Sequence, residues 1–249
     1  MSILLASRWS TMPRDPSGPR SAPTEKAMGR SVVEPFGNGV MRTAARVSPH
    51  RTAAPDRMGG VEANIIFGSG IPGNAELRLC GDLGGAKRAL ELGVSQWFNS
   101  IEFAVAGAKA IAIDPDPKRI TEMRSRADAA EVTVQCITAD LADLGEISSA
   151  TCEVVVAAHS LLNVDDLGRQ LRQVHRVLKP SMPFVISMPH PFSAVTDTKP
   201  YGAGARTLGD WFTALSRSNF RVDQVKELGV SPTHPIPTTL VLRSRKEGS

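Results

Sequence analysis

The stretch RALELGVSQWFNSIEFA, residues 88–104, decides how this chain is read. RALEL (88–92) has the outline of a short strand, Gly93 that of a turn, and FNSIEFAVAGA that of the helix that follows. A tight turn between a strand and a helix brings backbone N–H groups to a helix N-terminus, which is what a nucleotide ligand needs. Cofactor loops of this kind normally carry three glycines, and this one keeps only Gly93. It is therefore open whether the loop is a site with unusual residues, a site that has lost its ligand, or no such site.

The next segment supplies the second requirement. KAIAID (109–114) is a buried strand ending in Asp114, 21 residues after Gly93, close to the interval of about 20 at which an acid meets ribose hydroxyls. An acid there also serves simply to cap the next helix, so both readings stand. A second glycine cluster, LCGDLGG (79–85), follows a helical rather than a strand pattern, and Gly81 lies 33 residues before Asp114. It reads as a helix end and turn.

Further out the same texture repeats. AELRLCGDLGG (75–85) has apolar residues at 77, 79, 80 and 83, which predicts a short helix ending at Gly84 and Gly85. DPKRITEMRSRADAA (116–130) is an amphipathic helix opened by an acid and a proline, and VTVQCITAD (132–140) is a strand. CEVVVAAH (152–159) is the unbroken apolar run of a central parallel strand. VDDLGRQLRQVHRVL (164–178) has helical spacing and stops before Pro180; PFVISMP (183–189), RVDQVKEL (221–228) and TTLVLRSRK (238–246) are strands, and LGDWFTALSRSNF (208–220) is a helix. This alternation predicts an α/β fold, a Rossmann-like doubly wound sheet of seven strands with ligands at the strands' carboxyl ends. Only the turn-rich GVSPTHPIP separates the last two strands, so the last is expected to run antiparallel.

Four stretches now stand in order: ALELGVSQW (89–97), AIAIDPDPKRI (110–120), ITADLADLG (137–145) and CEVVVAAHSLLNVDDLGRQLRQVHRVLKPSMPFVISMPHP (152–191). Together, from about residue 75 to the end, they resemble the class I S-adenosylmethionine-dependent methyltransferases of the small bacterial type. The resemblance implies S-adenosylmethionine as cofactor, with Asp114 on the ribose hydroxyls, Asp140 at the adenine amino group and Glu91 near the ligand's amino group. It extends the implied binding set to Leu92, Gly93, Val94, Ser95, Asn99, Pro115, Ala139, Leu141 and His159. Ser95 and Trp97 stand where the family has its second and third glycines, and Ser181 and Met182 where a Gly-Gly turn is usual. Ser95 adds a small hydroxyl side chain, whereas an indole at 97 has to point into the core or into the cofactor volume.

Methyl transfer depends mainly on proximity and orientation, with a base useful when the acceptor is a hydroxyl or carbon acid. His159 after the fourth strand and His190 after the fifth are the candidate catalytic residues, though either also fits a loop histidine bonded to backbone. His175 reads as structural, Trp211 and Phe212 as core, and Asp165 and Asp166 as the start of a helix. Tyr201 and Arg206 sit in a loop placed to cover an acceptor.

The chain has 249 residues and a formal charge of +4. Through Arg57 there are nine Lys or Arg against four Asp or Glu, a balance of +5 that leaves −1 for the remainder. The expected folded domain, 59–249, is thus nearly neutral, which argues against nucleic acid as its partner. Residues 1–58, rich in Pro, Arg and Ser, have no periodicity; they read as a disordered basic tail, with a transit peptide or a start at Met28, Met41 or Met58 as alternatives. No run is long enough to cross a bilayer. The three cysteines have neither disulfide nor metal spacing, so no metal is expected and the setting is read as cytoplasmic. The expected function is methyl transfer to an unidentified small molecule. The alternative is a cofactor-impaired protein of this fold acting as a binding or regulatory subunit.

Overall fold

An unbroken apolar strand has no polar side to offer water, and in the computed structural model all five residues of Val154–Ala158 are buried inside a seven-stranded sheet. The structure describes residues 63–196, 198–233 and 235–248, so segment 1–58 lies outside the described residues. The elements are α1 (Asn74–Leu77), β1 (Arg88–Leu92), α2 (Asn99–Val105), β2 (Lys109–Asp114), α3 (Pro117–Ala129), β3 (Val134–Thr138), β4 (Val154–Ala158), α4 (Leu167–Val177), β5 (Pro183–Pro189), α5 (Leu208–Arg217), β6 (Phe220–Leu228) and β7 (Thr239–Lys246). A 3-10 turn, Pro191–Ala194, follows β5.

The strands lie in the order β3-β2-β1-β4-β5-β7-β6. β1 to β5 pair in parallel, and β7 runs antiparallel to both β5 and β6. This is the Rossmann-like fold with an antiparallel last strand that the alternation predicts. The order reverses between β1 and β4, so their carboxyl ends part there and leave a crevice into which the following loops converge.

Period-two alternation divides the core between the two faces of the sheet. Leu90, Leu92, Val155, Ala157 and Ile186 pack against Leu171 and Val174 of α4 and Trp211 and Leu215 of α5. On the other face Ala89, Val154, Val156 and Val185 meet Phe103 of α2 together with Ile65, Phe67 and Leu79. Ile120 and Met123 of α3 close over Ala112, Val94 and Phe98. Each Val, Leu, Ile, Phe or Met among them contributes about 1.5–3 kcal/mol on burial, enough to hold the loop-bearing strand ends in fixed positions. The turn between α4 and β5 keeps the left-handed backbone a glycine would favour, with Ser181 at φ +62°.

Two expectations are corrected. The helix predicted over 75–85 is only the single turn Asn74–Leu77, ended by Arg78 in the left-handed region at φ +51°. Asn74 Oδ1 accepts from the Cys80 N–H at 2.9 Å and folds the chain back, so Leu79, Cys80 and Leu83 are buried from irregular backbone. In α5, Trp211 is core at 2% exposure, whereas Phe212 is 40% exposed; adjacent positions on a helix point about 100° apart.

Asn99 ties the segment before β1 to the start of α2. Its Oδ1 accepts from Ile66 N at 2.9 Å and its Nδ2 donates to Ile66 O at 3.0 Å, as a neighbouring strand would. Asn99→Ala leaves both Ile66 groups without these partners and should lower unfolding stability by about 1–3 kcal/mol. Urea denaturation measures this; an unchanged midpoint would show that segment 63–67 is held by its apolar side chains alone.

Candidate functional site

The site starts from Gly93. Its φ of +77° suits glycine, and a Cβ built on it would lie 2.3 Å from Ser160 Cβ. Both backbone and space therefore demand glycine. Gly93 N donates to Ile113 O at 2.8 Å, continuing the β1–β2 ladder, while Ser160 Oγ donates to Leu92 O and draws the β4 loop against the β1 loop.

Three side chains then shape the loop. Glu91 is completely buried. One of its oxygens accepts from Ser95 N at 3.0 Å and Ser95 Oγ at 2.8 Å, and the other accepts from Ser100 N and Ser100 Oγ, both at 2.8 Å. Burial pushes the Glu91 carboxyl above its usual range, with these donors opposing. Asp114 accepts from Val94 N through Oδ2 and from Asp116 N through Oδ1, both at 2.8 Å. Arg119 donates to Val94 O at 2.8 Å, and its guanidinium lies 5.2 Å from the Phe98 ring centre.

Trp97 resolves the choice posed by an indole at the third-glycine position. Its backbone N–H donates to Ser95 Oγ at 3.3 Å, and its ring meets His159 edge-to-face with centres 5.2 Å apart. The indole thus borders the crevice rather than entering the core. His159 has a left-handed backbone, φ +63°, and donates its N–H to Ser187 O at 2.9 Å. Its Nε2 is buried without a partner among the described residues. Burial holds the His159 pKa below the ordinary 6.5, with a backbone hydrogen bond to Phe67 opposing. The imidazole is therefore neutral near pH 7.

The crevice has a volume of about 460 Å³ and is walled by Gly93, Ser95, Trp97, Asp114, His159 and Ser160 among others. A second cleft, about 490 Å³, shares Leu141, His159 and Ser160 with it and adds Asp140 and Asn163. A larger one, about 720 Å³, opens at the opposite end of the strands beside Arg88, Lys109 and Lys179. It holds none of the predicted residues, so size does not mark the site.

Of the predicted set, Gly93, Val94, Ser95, Asp114, Pro115, Leu141 and His159 line the crevice, and Asp140 lines the adjoining cleft. Glu91, Leu92 and Asn99 are fully buried outside its wall, and the Ala139 N–H donates to Asp114 O from behind it. His190 is also placed elsewhere and is fully buried. Its Nδ1 accepts from Phe192 N at 3.2 Å, so the proton sits on Nε2, which donates to Glu227 at 3.0 Å. With both nitrogens engaged, the one lone pair of His190, on Nδ1, is already taken by Phe192 N. Tyr201 and Arg206 are fastened down: Tyr201 Oη accepts from Leu208 N, and Arg206 donates to the carbonyls of Leu161, Leu162 and Val164. His175 Nε2 lies 2.9 Å from Glu247 O, and Asp166 caps α4 by accepting from Arg169 N. Sequence reasoning missed Ser160, Gln96 and Arg119. Ser160 directly follows His159 after β4, but only its spatial approach to Gly93 singles it out.

Among the described residues no group of three His, Cys, Asp or Glu can hold a metal ion, and no helix is long and apolar enough to cross a membrane.

Residues 90–186 match the family model described as a methyltransferase domain. Three solved structures share the fold. An S-adenosylmethionine-dependent methyltransferase from Mesorhizobium loti is 22% identical, with 69% of this chain and 96% of that one covered and a TM-score of 0.54. One from Aquifex aeolicus is 16% identical, over 68% and 86% of the two chains, at a TM-score of 0.56. Geranyl diphosphate C-methyltransferase from Streptomyces coelicolor, solved with Mg2+, geranyl diphosphate and S-adenosyl-L-homocysteine, is 9% identical, over 69% and 78%, at 0.57. No curated protein matches the sequence.

The contact between Gly93 and Ser160 makes a test. Gly93→Ala combines an unfavourable φ with overlap and should cost about 3 kcal/mol or more. Adding Ser160→Gly should recover at least about 1 kcal/mol of that in a double-mutant cycle read by urea unfolding. Strict additivity would mean that the two loops do not press on each other.

Proposed function

We propose that this chain is a class I S-adenosylmethionine-dependent methyltransferase, a reading supported by the methyltransferase-domain match over residues 90–186 and by the shared fold, that the crevice between β1 and β4 binds S-adenosylmethionine, and that the enzyme transfers its methyl group to a small molecule held beyond His159. The observation that carries this reading is Asp114. It faces the crevice from the end of β2 with one backbone N–H on each oxygen, so each oxygen keeps accepting capacity for a ribose hydroxyl. The residues fit such a ligand in two further respects. Gly93 leaves the loop backbone bare at the point of closest approach, and about 460 Å³ falls within the usual range for a drug-sized ligand. Trp97 leaves that volume open, which favours a binding site over the cofactor-impaired alternative.

When bound, the cofactor supplies a methyl group on a positively charged sulfur, which leaves as a neutral thioether. The chain's own part is positioning and proton removal. Glu91 holds the loop through Ser95 and Ser100, Asp114 orients the ribose, and Asp140, on the adjoining cleft, is assigned to the adenine amino group. His159 borders both clefts with a free Nε2 and accepts the proton of an acceptor O–H as the acceptor oxygen bonds to the methyl carbon. Cys80, Cys136 and Cys152 are free, and burial pushes the Cys152 thiol up to about 11. Unreactive thiols of this sort suit a reducing compartment, and we place the enzyme in the cytoplasm.

Isothermal titration with S-adenosylhomocysteine and S-adenosylmethionine tests the reading. Saturable heat is expected, and Asp114→Asn should weaken both ligands at least about tenfold, since it replaces charge-assisted bonds with neutral ones. Folded protein giving no heat at millimolar ligand would sink it.

The pH profile tests His159. Protonation blocks the base, so kcat/KM should rise with pH through an inflection below 6.5 and then level off. In His159→Gln that acidic limb should disappear along with most of the rate. A variant that keeps the limb would move the proton acceptor elsewhere.

A further inference from the structure

Beyond His159 lies a third space, a cavity of about 210 Å³ between the β4 loop and the segment joining β5 to α5. Leu162 and Asn163 border both it and the cleft beside His159, so the three spaces follow one another along the carboxyl edge of the sheet. We propose that this cavity is the acceptor pocket and that it takes an uncharged ring compound carrying one hydrogen-bonding group, a class narrower than any small molecule. The proposal rests on the methyltransferase reading above.

The lining sets the class. Leu162, Met188, Pro191, Ala194, Ala205 and Trp211 provide an apolar wall. Of the charged and titratable groups in or beside it, His190, Glu227 and Arg206 are already engaged, and Lys199, whose Nζ comes near Gly204, is exposed to solvent at the rim. His190 is held between Phe192 N and Glu227, which fixes its neutral tautomer and occupies the Glu227 carboxylate. Arg206 spends its two terminal nitrogens on the carbonyls of Leu161, Leu162 and Val164, with its guanidinium 5.8 Å from the Trp211 ring centre. A charged acceptor would therefore lose water without gaining a matched partner, a large penalty. The Asn163 side chain makes no hydrogen bond among the described residues, so its amide is the group left to meet a hydroxyl or carbonyl.

The pocket is also preformed. Phe192 stacks on His190 at 5.4 Å and Tyr201 on Phe192 at 4.6 Å, both at 17° between planes. Tyr201 Oη holds Leu208 N at the start of α5, where Thr207 and Asp210 form a capping box. A rigid wall of this size selects a flat molecule of one or two rings over a flexible chain, because less ordering entropy is lost on both sides.

The test uses 2-naphthol and its charged analogue 2-naphthoate in isothermal titrations of the full chain, with and without saturating S-adenosylhomocysteine. The naphthol should bind and the naphthoate should be at least about tenfold weaker. Ala194→Trp and Ala205→Trp, both at exposed rim positions, should each weaken the naphthol at least about tenfold while S-adenosylhomocysteine affinity and melting temperature stay put. Naphthoate binding as tightly as naphthol would mean that Arg206 serves an anion and would overturn the proposal. So would no naphthol binding, or binding untouched by both tryptophans. Failure of S-adenosylhomocysteine alone to bind strikes the cofactor reading instead, since the naphthol titration without it still reports on the cavity.

Discussion

Taking a carboxylate such as Glu91 out of water costs several kcal/mol unless donors replace the solvent, and the cofactor loop is arranged around supplying them. Ser95 and Ser100 each turn a backbone N–H and a hydroxyl toward it. Those four bonds fix where the chain leaves β1 and where α2 begins. Phe98, the residue before α2, has a left-handed backbone and gives no side-chain cap, so the buried carboxylate takes over part of that duty by accepting the Ser100 N–H. Without this internal hydrogen-bond acceptor the loop would have to order itself from local preferences alone.

The two missing glycines acquire different meanings in this setting. Ser95 is part of the loop's support: its hydroxyl donates to Glu91 and accepts from Trp97 N, and glycine could do neither. Trp97 replaces backbone freedom with a wall, its indole standing against the His159 ring at the boundary of the crevice. Asp114 and Arg119 complete the frame by holding the amide and the carbonyl of Val94. The loop therefore reaches its shape through side-chain hydrogen bonds where a three-glycine loop uses conformational latitude.

The sheet was legible because its signals are local. Apolar runs, period-two alternation and the punctuation at Gly93 and Pro180 locate the strands and helices to within a few residues. Gly93 and Asp114 were legible for the same reason, since a spacing of 21 residues survives in one dimension. The single turn of α1 was misread because Leu79, Cys80 and Leu83 are buried from irregular backbone yet recur at helix-like intervals. The hydrogen bonds that engage His190 and Asn99 were not legible, because their partners, Glu227 and Ile66, lie 37 and 33 positions away. Contacts of that range are written in the topology, and no window along the chain contains both partners.

Two of the chain's three tryptophans lie among the described residues, one beside each of two separate spaces: Trp97 on the crevice and Trp211 on the small cavity past Leu162. They sit in different surroundings, since Trp97 is half-buried and Trp211 is 2% exposed. The fold thus carries a pair of intrinsic fluorophores with distinct emission. A molecule arriving in either space alters the light from the indole beside it, without any label being attached.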